Sequence, residues 1–224
     1  MLQRDWLMRQ IEIAARMLAA IIAKVTSGKR LEALNMFDQA YQPLLGVGAR
    51  LVPVLSDEQL LAMLTPGGVP DSDRWPLLVR LLVTEADLYA AQGDDVAAGI
   101  RYHKALMVVR ELGGGEPGFD PGLCSHLCDQ LRTFAPPPGE RVEIARLYER
   151  AGRFGDAEDA LFEGLDTEGE GAQGSGDTEE LTQAAIAFYR RLLAKDDAEL
   201  AAGNLPREEA QAGLTEILER SPSP

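Results

Sequence analysis

The residues whose types could do chemistry lie closest together in one short segment, Cys124-Ser-His126-Leu-Cys128. If this segment is helical, its two cysteines lie on one face, where two thiolates could bind a soft metal ion. His126 then points to the other side of the helix, and a zinc site normally needs about four ligands. The chain has two cysteines in all and offers no second pair. We therefore favour a buried stripe of Cys124, Leu127, Cys128 and Leu131, in which cysteine acts as a small hydrophobic side chain, and predict no metal site and no cofactor.

The rest of the sequence lacks the residue combinations of common catalytic sites. It contains two histidines, His103 and His126, and neither lies near a Gly-x-Ser-x-Gly elbow. Neither histidine has a glutamate three residues before it, as a carboxylate-bridged di-iron bundle would need. No phosphate-binding Gly-x4-Gly-Lys-Ser/Thr loop occurs. We expect no catalytic residues and no enzymatic activity; the alternative is a small enzyme or metal-binding protein centred on Cys124 and Cys128.

The net charge of −14 is concentrated in the second half of the chain. Residues 1–112 hold 12 basic and 13 acidic side chains, whereas residues 113–224 hold 10 basic and 23 acidic ones. A field of this sign repels phosphate backbones, so we predict that the protein does not bind nucleic acid. Two interpretations of the acidity stay open: it keeps the protein in solution, or it steers basic partners towards the second half.

The N-terminal segment contains an uncharged apolar run, Met17–Ala23, of seven residues. That length is far short of a membrane span, and the charged Asp5, Glu12 and Arg16 before it are unlike a secretory signal. Two thiols in a chain of this length suit a reducing compartment. We expect a cytoplasmic protein that does not enter membranes.

Apolar residues recur at helical spacing along most of the chain, and no alternation typical of strands appears. The sequence therefore predicts an all-α fold. Ser56 and Gln59 have the spacing of a capping box and predict the start of one short helix. The other helices are predicted over about residues 3–26, 31–45, 73–92, 95–112, 121–134, 140–151, 154–166, 178–197 and 205–220.

Glycine and proline mark the predicted domain boundary. Residues 113–122 hold five glycines and two prolines and predict a linker. Residues 1–112 then form an N-terminal module of helical hairpins, and residues 123–220 form an acidic C-terminal helical module. Within that second module, residues 167–177 have no apolar side chain larger than alanine, and we expect a flexible loop there.

One spacing pattern occurs twice and is echoed a third time. A glycine is followed by small or aromatic residues at helical intervals, which lets the helix after the glycine lie close to the helix before it. Tyr89 and Tyr148 stand four residues before the second and third glycines. The copies are Gly28, Ala33, Phe37 and Ala40; Gly93, Ala98, Tyr102 and Ala105; and the echo Gly152, Ala157, Leu161 and Gly164.

This pattern resembles the tetratricopeptide repeat, whose hairpins place an aromatic residue, a turn glycine and packing alanines at these offsets. The resemblance implies antiparallel helical hairpins stacked as a solenoid, an architecture that holds other macromolecules. The glycines are 65 and 59 residues apart, against about 34 for a regular array, so we expect an irregular solenoid. In the third copy, Leu161 and Gly164 replace the aromatic residue and the second alanine.

A second resemblance covers about the first half of the chain. The opening Asp5-Trp6-Leu7-Met8-Arg9-Gln10-Ile11-Glu12 is similar to the start of a bacterial family of uncharacterised helical proteins. In that family this segment begins a long helix, and a hairpin resembling residues 80–112 follows. The resemblance implies a helical fold and a bacterial origin.

The first predicted helix has a wide apolar face and a local positive charge. Residues 1–30 hold six basic and two acidic side chains, so the helix could lie on an anionic membrane. Its small residues favour packing within the fold or across a homodimer interface instead. Trp6 is the predicted partner contact, because the first helix of a stacked array has an uncovered side.

Together these patterns predict a non-enzymatic module for protein–protein interaction or scaffolding, whose partner is another protein or peptide. A self-assembling structural protein that dimerises through its first helix is a further alternative.

Overall fold

Every regular element in the described part of the chain is helical, which confirms the predicted all-α fold. The computed structural model describes residues 2–65, 73–112, 120–168 and 176–220. The chain divides into two compact units, residues 1–120 and residues 121–224. The predicted linker, residues 113–122, falls on this division, and most of it lies outside the described residues.

The first unit begins with the long helix α1, Leu2–Thr26, which packs against three later helices of the same unit. Its buried residues, Ala14, Leu18 and Ile21, follow the predicted apolar face. The other elements are α2 (Arg30–Leu34), α3 (Phe37–Leu45), a 3-10 turn (Val52–Val54), α4 (Asp57–Leu64), α5 (Arg74–Ala90) and α6 (Asp95–Leu112).

The single helix predicted over 31–45 is wrong, because α2 and α3 are separate. The backbone N–H of Met36 donates to the carbonyl of Ala33, three residues back, so the α-helical hydrogen-bond ladder is interrupted there. The capping box at Ser56 is confirmed: Ser56 Oγ accepts from the N–H of Gln59, and Gln59 Oε1 accepts from the N–H of Ser56. It starts α4 at the predicted place.

Helices α5 and α6 form the most extensively packed hairpin of the first unit. Asp94 caps α6, since its Oδ1 accepts the N–H of Ala97 at 3.0 Å. Both helices pack on elements from the N-terminal part of the unit, α5 against α1 and α3 and α6 against α4. The hairpin therefore forms the centre of the first unit.

The second unit contains only helices among its described residues. They are α7 (Pro121–Arg132), α8 (Pro138–Arg150), α9 (Phe154–Glu168), α10 (Gly176–Leu193), α11 (Asp197–Ala202) and α12 (Arg207–Arg220). Helices α8 and α9 form a hairpin, and α10 packs on α8, α9 and α12.

Three predicted boundaries in the second unit need correction. The helix predicted over 178–197 ends at Leu193, and the short α11 follows it because Asp196 caps a new start by accepting the N–H of Glu199. Helix α7 begins at Pro121, as predicted, so the last two residues of the predicted linker 113–122 belong to this helix. Both ends of the predicted loop 167–177 belong to helices, and residues 169–175 between them lie outside the described residues.

Candidate functional site

The three glycines of the repeated pattern form the same turn. Gly28, Gly93 and Gly152 have φ angles of 77°, 77° and 75°, in the left-handed region that favours glycine. In each turn the residue after the glycine donates its N–H to the carbonyl five residues earlier: Lys29 to Lys24, Asp94 to Tyr89, and Arg153 to Tyr148. These are Schellman-type helix ends, and each one reverses the chain into the next helix.

The helix positions of the pattern are buried in every copy. Buried positions are Ala33, Phe37, Ala40, Ala98, Tyr102, Ala105, Ala157, Leu161 and Gly164. At Gly164 an added Cβ would lie 3.0 Å from carbon atoms of both Arg141 and Leu181, so this site has little room for the expected alanine.

The tyrosines of the pattern play two different parts. Tyr102 and Tyr148 are buried, and their hydroxyls donate to Asp87 Oδ1 at 2.6 Å and to Asp129 Oδ1 at 2.7 Å. Tyr89 is only half-buried and lies under the guanidinium of Arg101, 4.2 Å from the ring centroid. The buried positions therefore hold the helices together, whereas Tyr89 remains accessible.

The two cysteines of α7 are buried and unoxidised. The thiol of Cys128 lies 3.8 Å from the carbonyl oxygen of Ile144, to which it donates, and burial raises its pKa. A thiol held in its protonated form is a poor metal ligand, since metal binding needs the thiolate. Within the described ranges no three His, Cys, Asp or Glu side chains are grouped so that they could hold a metal ion. This geometry favours the buried-stripe interpretation.

Trp6 lies on the surface beside a groove of about 520 Å³. Its side chain is 59% exposed. The groove, called the Trp6 groove below, is bounded by Trp6, Leu7 and Gln10 of α1, by residues 42–46 at the end of α3, and by Arg74. Leu44 and Leu45 are buried and give the groove an apolar floor.

Exposed apolar side chains concentrate in the first unit. Of the ten large apolar side chains that are exposed among the described residues, nine belong to this unit and one, Leu218, belongs to the second. Four of the nine lie on α1: Trp6, Met8, Ile13 and Ile22. The described helices are each too short or too polar to cross a bilayer.

The first unit contains a buried charged cluster that the sequence patterns did not predict. Glu85 of α5 is 1% exposed and Arg101 of α6 is 5% exposed. Arg101 Nε lies 2.8 Å from Glu85 Oε2, and the hydroxyl of Tyr41 donates to the same oxygen at 2.8 Å. The sequence contains one signal for this cluster: Glu85 lies on the apolar face of α5, between the buried Leu82 and Leu88.

A family model described as "Family of unknown function (DUF6483)" matches residues 1–221. The match spans both units, whereas the resemblance to an uncharacterised family was predicted for about the first half only. No curated protein and no solved structure matches the chain.

Proposed function

The chain belongs to the DUF6483 family, and we propose that it is a non-enzymatic protein-interaction module whose Trp6 groove binds a segment of another protein. The observation that carries this proposal is the exposure of Trp6 beside a groove with an apolar floor. Tryptophan is among the residues most enriched at the energetic centres of protein interfaces.

The distribution of apolar surface supports the choice of the first unit. Scattered exposed apolar residues are normal on any protein surface, but here nine of ten lie in one unit. The Trp6 groove also has polar groups at its edge, Gln10 and Gln42, which suits the usual arrangement of an apolar centre with a polar rim.

The repeated hairpins support the same function class. Three glycine turns of one geometry, each followed by small buried residues, fit the interpretation of irregular tetratricopeptide-like hairpins. Proteins of this kind present helices side by side and use the resulting surfaces for binding. The acidic second half then acts either as a solubilising module or as a steering surface for basic partners.

The proposed binding is tested by replacing Trp6 and, as a control, an exposed apolar residue of the second unit. Trp6→Ser removes the proposed contact, and Leu218→Ser removes an exposed apolar side chain from the second unit. Tagged wild-type and variant proteins are purified from the native host, and the co-purifying proteins are quantified by mass spectrometry. We expect a protein that is retained by the wild type and by Leu218→Ser but lost from Trp6→Ser.

Sedimentation of the purified chain tests whether the partner is a second copy of the chain. A wild type that dimerises and a Trp6→Ser variant that does not would identify a second copy as the partner. Because Trp6 is exposed, both serine variants should keep the melting temperature of the wild type. Equal recovery of every co-purifying protein by all three chains, together with unchanged sedimentation, would contradict the proposal.

A further inference from the structure

A second cavity of about 420 Å³ opens in the first unit, and no residue of the Trp6 groove lines it. Its walls come from α2, from the start of α3, from the connection after α3, and from the hairpin α5–α6. Glu85 and Arg101, the buried charged pair, form part of its lining. Leu31 also lines it and is 72% exposed.

The buried pair is held in place by its own hydrogen bonds. Glu85 Oε2 accepts from Tyr41, and Arg101 Nη1 donates to the carbonyl of Ala97 at 2.9 Å. The ring of Tyr89 stacks on the guanidinium. These contacts fix the orientation of Arg101 before any ligand arrives, so little side-chain entropy is lost on binding.

The lining of the cavity contains hydrogen-bond donors that are not paired with an acceptor among the described residues. Arg101 Nε lies 2.8 Å from Glu85 Oε2 and forms an ion pair with it, although its N–H is not well aligned with that oxygen. Arg101 Nη2 has no acceptor in the described part of the chain, and neither do the side chains of Arg50 and Asn35 or the hydroxyl of Tyr89. Arg101 is buried and Tyr89 is half-buried, so these two donors favour a ligand that accepts hydrogen bonds, whereas Arg50 and Asn35 are exposed at the edge of the cavity.

Two of the four carboxylate oxygens that line the cavity accept hydrogen bonds from the chain. Asp38 Oδ1 already accepts the N–H of Ala49 at 2.6 Å, and Glu85 Oε2 is taken by Tyr41. The two carboxylates and the two guanidinium groups balance in charge, so the cavity does not repel an anion. A planar carboxylate matches the fork of donors that an arginine presents.

We propose that this cavity binds a small organic carboxylate with an apolar body. Arg50 and Arg101 hold the carboxylate, Asn35 and the hydroxyl of Tyr89 complete its hydrogen bonds, and the apolar body packs against Leu31 and Leu34. The volume suits a small molecule. This proposal does not depend on the Trp6 groove.

The test uses the full-length chain and three phenyl compounds of similar shape. Phenylacetate is the carboxylate, phenylacetamide is its neutral counterpart, and 2-phenylethylamine is the cation; acetate and hexanoate vary the apolar body. Binding is measured by isothermal titration calorimetry, and the site is located by amide chemical shifts in two-dimensional NMR spectra. We expect phenylacetate to bind more tightly than the amide and the amine, and to shift the amides of Asn35, Arg50 and Arg101.

Two variants and one control connect the binding to the cavity. Arg50→Gln and Tyr89→Phe remove donors from accessible side chains, and Arg16→Gln removes a charge from the exposed side of α1. Arg50→Gln should weaken phenylacetate binding by about tenfold and Tyr89→Phe by less, because an arginine–carboxylate contact is charge-assisted. Arg16→Gln should leave binding unchanged.

The proposal is overturned if none of the three carboxylates binds at millimolar concentration. It is also overturned if the amine binds as tightly as phenylacetate, or if Arg50→Gln and Arg16→Gln bind equally well. Chemical shifts confined to residues outside the cavity would count against it in the same way.

Discussion

The hydroxyl of Tyr102 donates to Oδ1 of Asp87 at 2.6 Å, from α6 back to α5 across the hairpin turn at Gly93. The same relationship recurs in both units. Four of the five tyrosines in the chain are buried and donate to a carboxylate on another helix. The pairs are Tyr41–Glu85, Tyr102–Asp87, Tyr148–Asp129 and Tyr189–Glu158.

Removing one of these hydroxyls should destabilise the hairpin. Tyr102→Phe removes the hydroxyl that donates to the half-buried carboxylate of Asp87, and we expect the free energy of unfolding to fall by about 1–3 kcal/mol. Tyr89→Phe is the matched control, since that hydroxyl has no acceptor among the described residues. Urea unfolding of both variants measures the difference. Equal stabilities of the two variants would show that the Tyr102–Asp87 bond contributes nothing.

The stability contributed by Asp129 should depend on pH. Burial alone would raise its pKa, but hydrogen bonds from Arg153 and Tyr148 outweigh burial and hold the pKa below its ordinary value of 3.8. A carboxylate with a lowered folded pKa stabilises the protein above its unfolded pKa, and this contribution is lost as the pH falls through the folded value.

The variant Asp129→Asn tests this dependence. Its stability loss relative to the wild type should be present at about pH 7 and should be smaller at about pH 3, below the ordinary pKa of 3.8. The loss should stay below about 1 kcal/mol, because the side chain is partly exposed. A stability loss for Asp129→Asn that is the same at both pH values would contradict the lowered pKa of Asp129.

The close approach of α5 and α6 predicts the effect of enlarging Ala98. This side chain is fully buried in the hairpin, so Ala98→Leu should overpack the interface and cost about 1–3 kcal/mol. Ala15→Leu, on the exposed side of α1, is the control and should change little. The free energy of unfolding from urea titration is the measurement. An unchanged urea midpoint for Ala98→Leu would contradict the close packing of α5 and α6 that the repeated pattern predicts.

The turn geometry predicts opposite effects at two glycines. Gly93 has a positive φ, so Gly93→Ala should destabilise the protein by about 1 kcal/mol or more. Gly139 lies in the first turn of α8, with open space around an added Cβ, and Gly139→Ala should stabilise the protein by about 0.4–1 kcal/mol. Melting temperatures of the two variants should therefore move in opposite directions. A shift of the same sign in both would count against the turn assignment.

The sequence predicts most helices because local patterns determine them. Apolar periodicity located α1, the capping box located the start of α4, and Gly93 located the turn of the central hairpin. The break between α2 and α3 was not predictable in this way. Asn35 and Met36 have nearly helical backbone angles, and only the hydrogen-bond ladder changes there.

The candidate sites were harder to predict from the sequence than the helices. Trp6 was predicted as a partner contact because a large aromatic residue on a terminal helix is a recognisable signal, and its side chain is exposed. The other wall of its groove, at the end of α3, is about 40 residues away in sequence and is brought there only by packing. Tyr41, Glu85 and Arg101 likewise come together only in the folded unit, and each alone is an ordinary helical residue.

The most direct measurement of the central proposal is photo-crosslinking from position 6 in the native host. Trp6→p-benzoylphenylalanine keeps an aromatic side chain at the groove and forms a covalent bond to whatever lies against it on irradiation. The same replacement at Leu218 is the control. We predict that position 6 yields a crosslinked protein partner, identified by mass spectrometry, and that position 218 does not. No adduct from position 6, or the same adducts from both positions, would contradict the proposal that the Trp6 groove binds a protein.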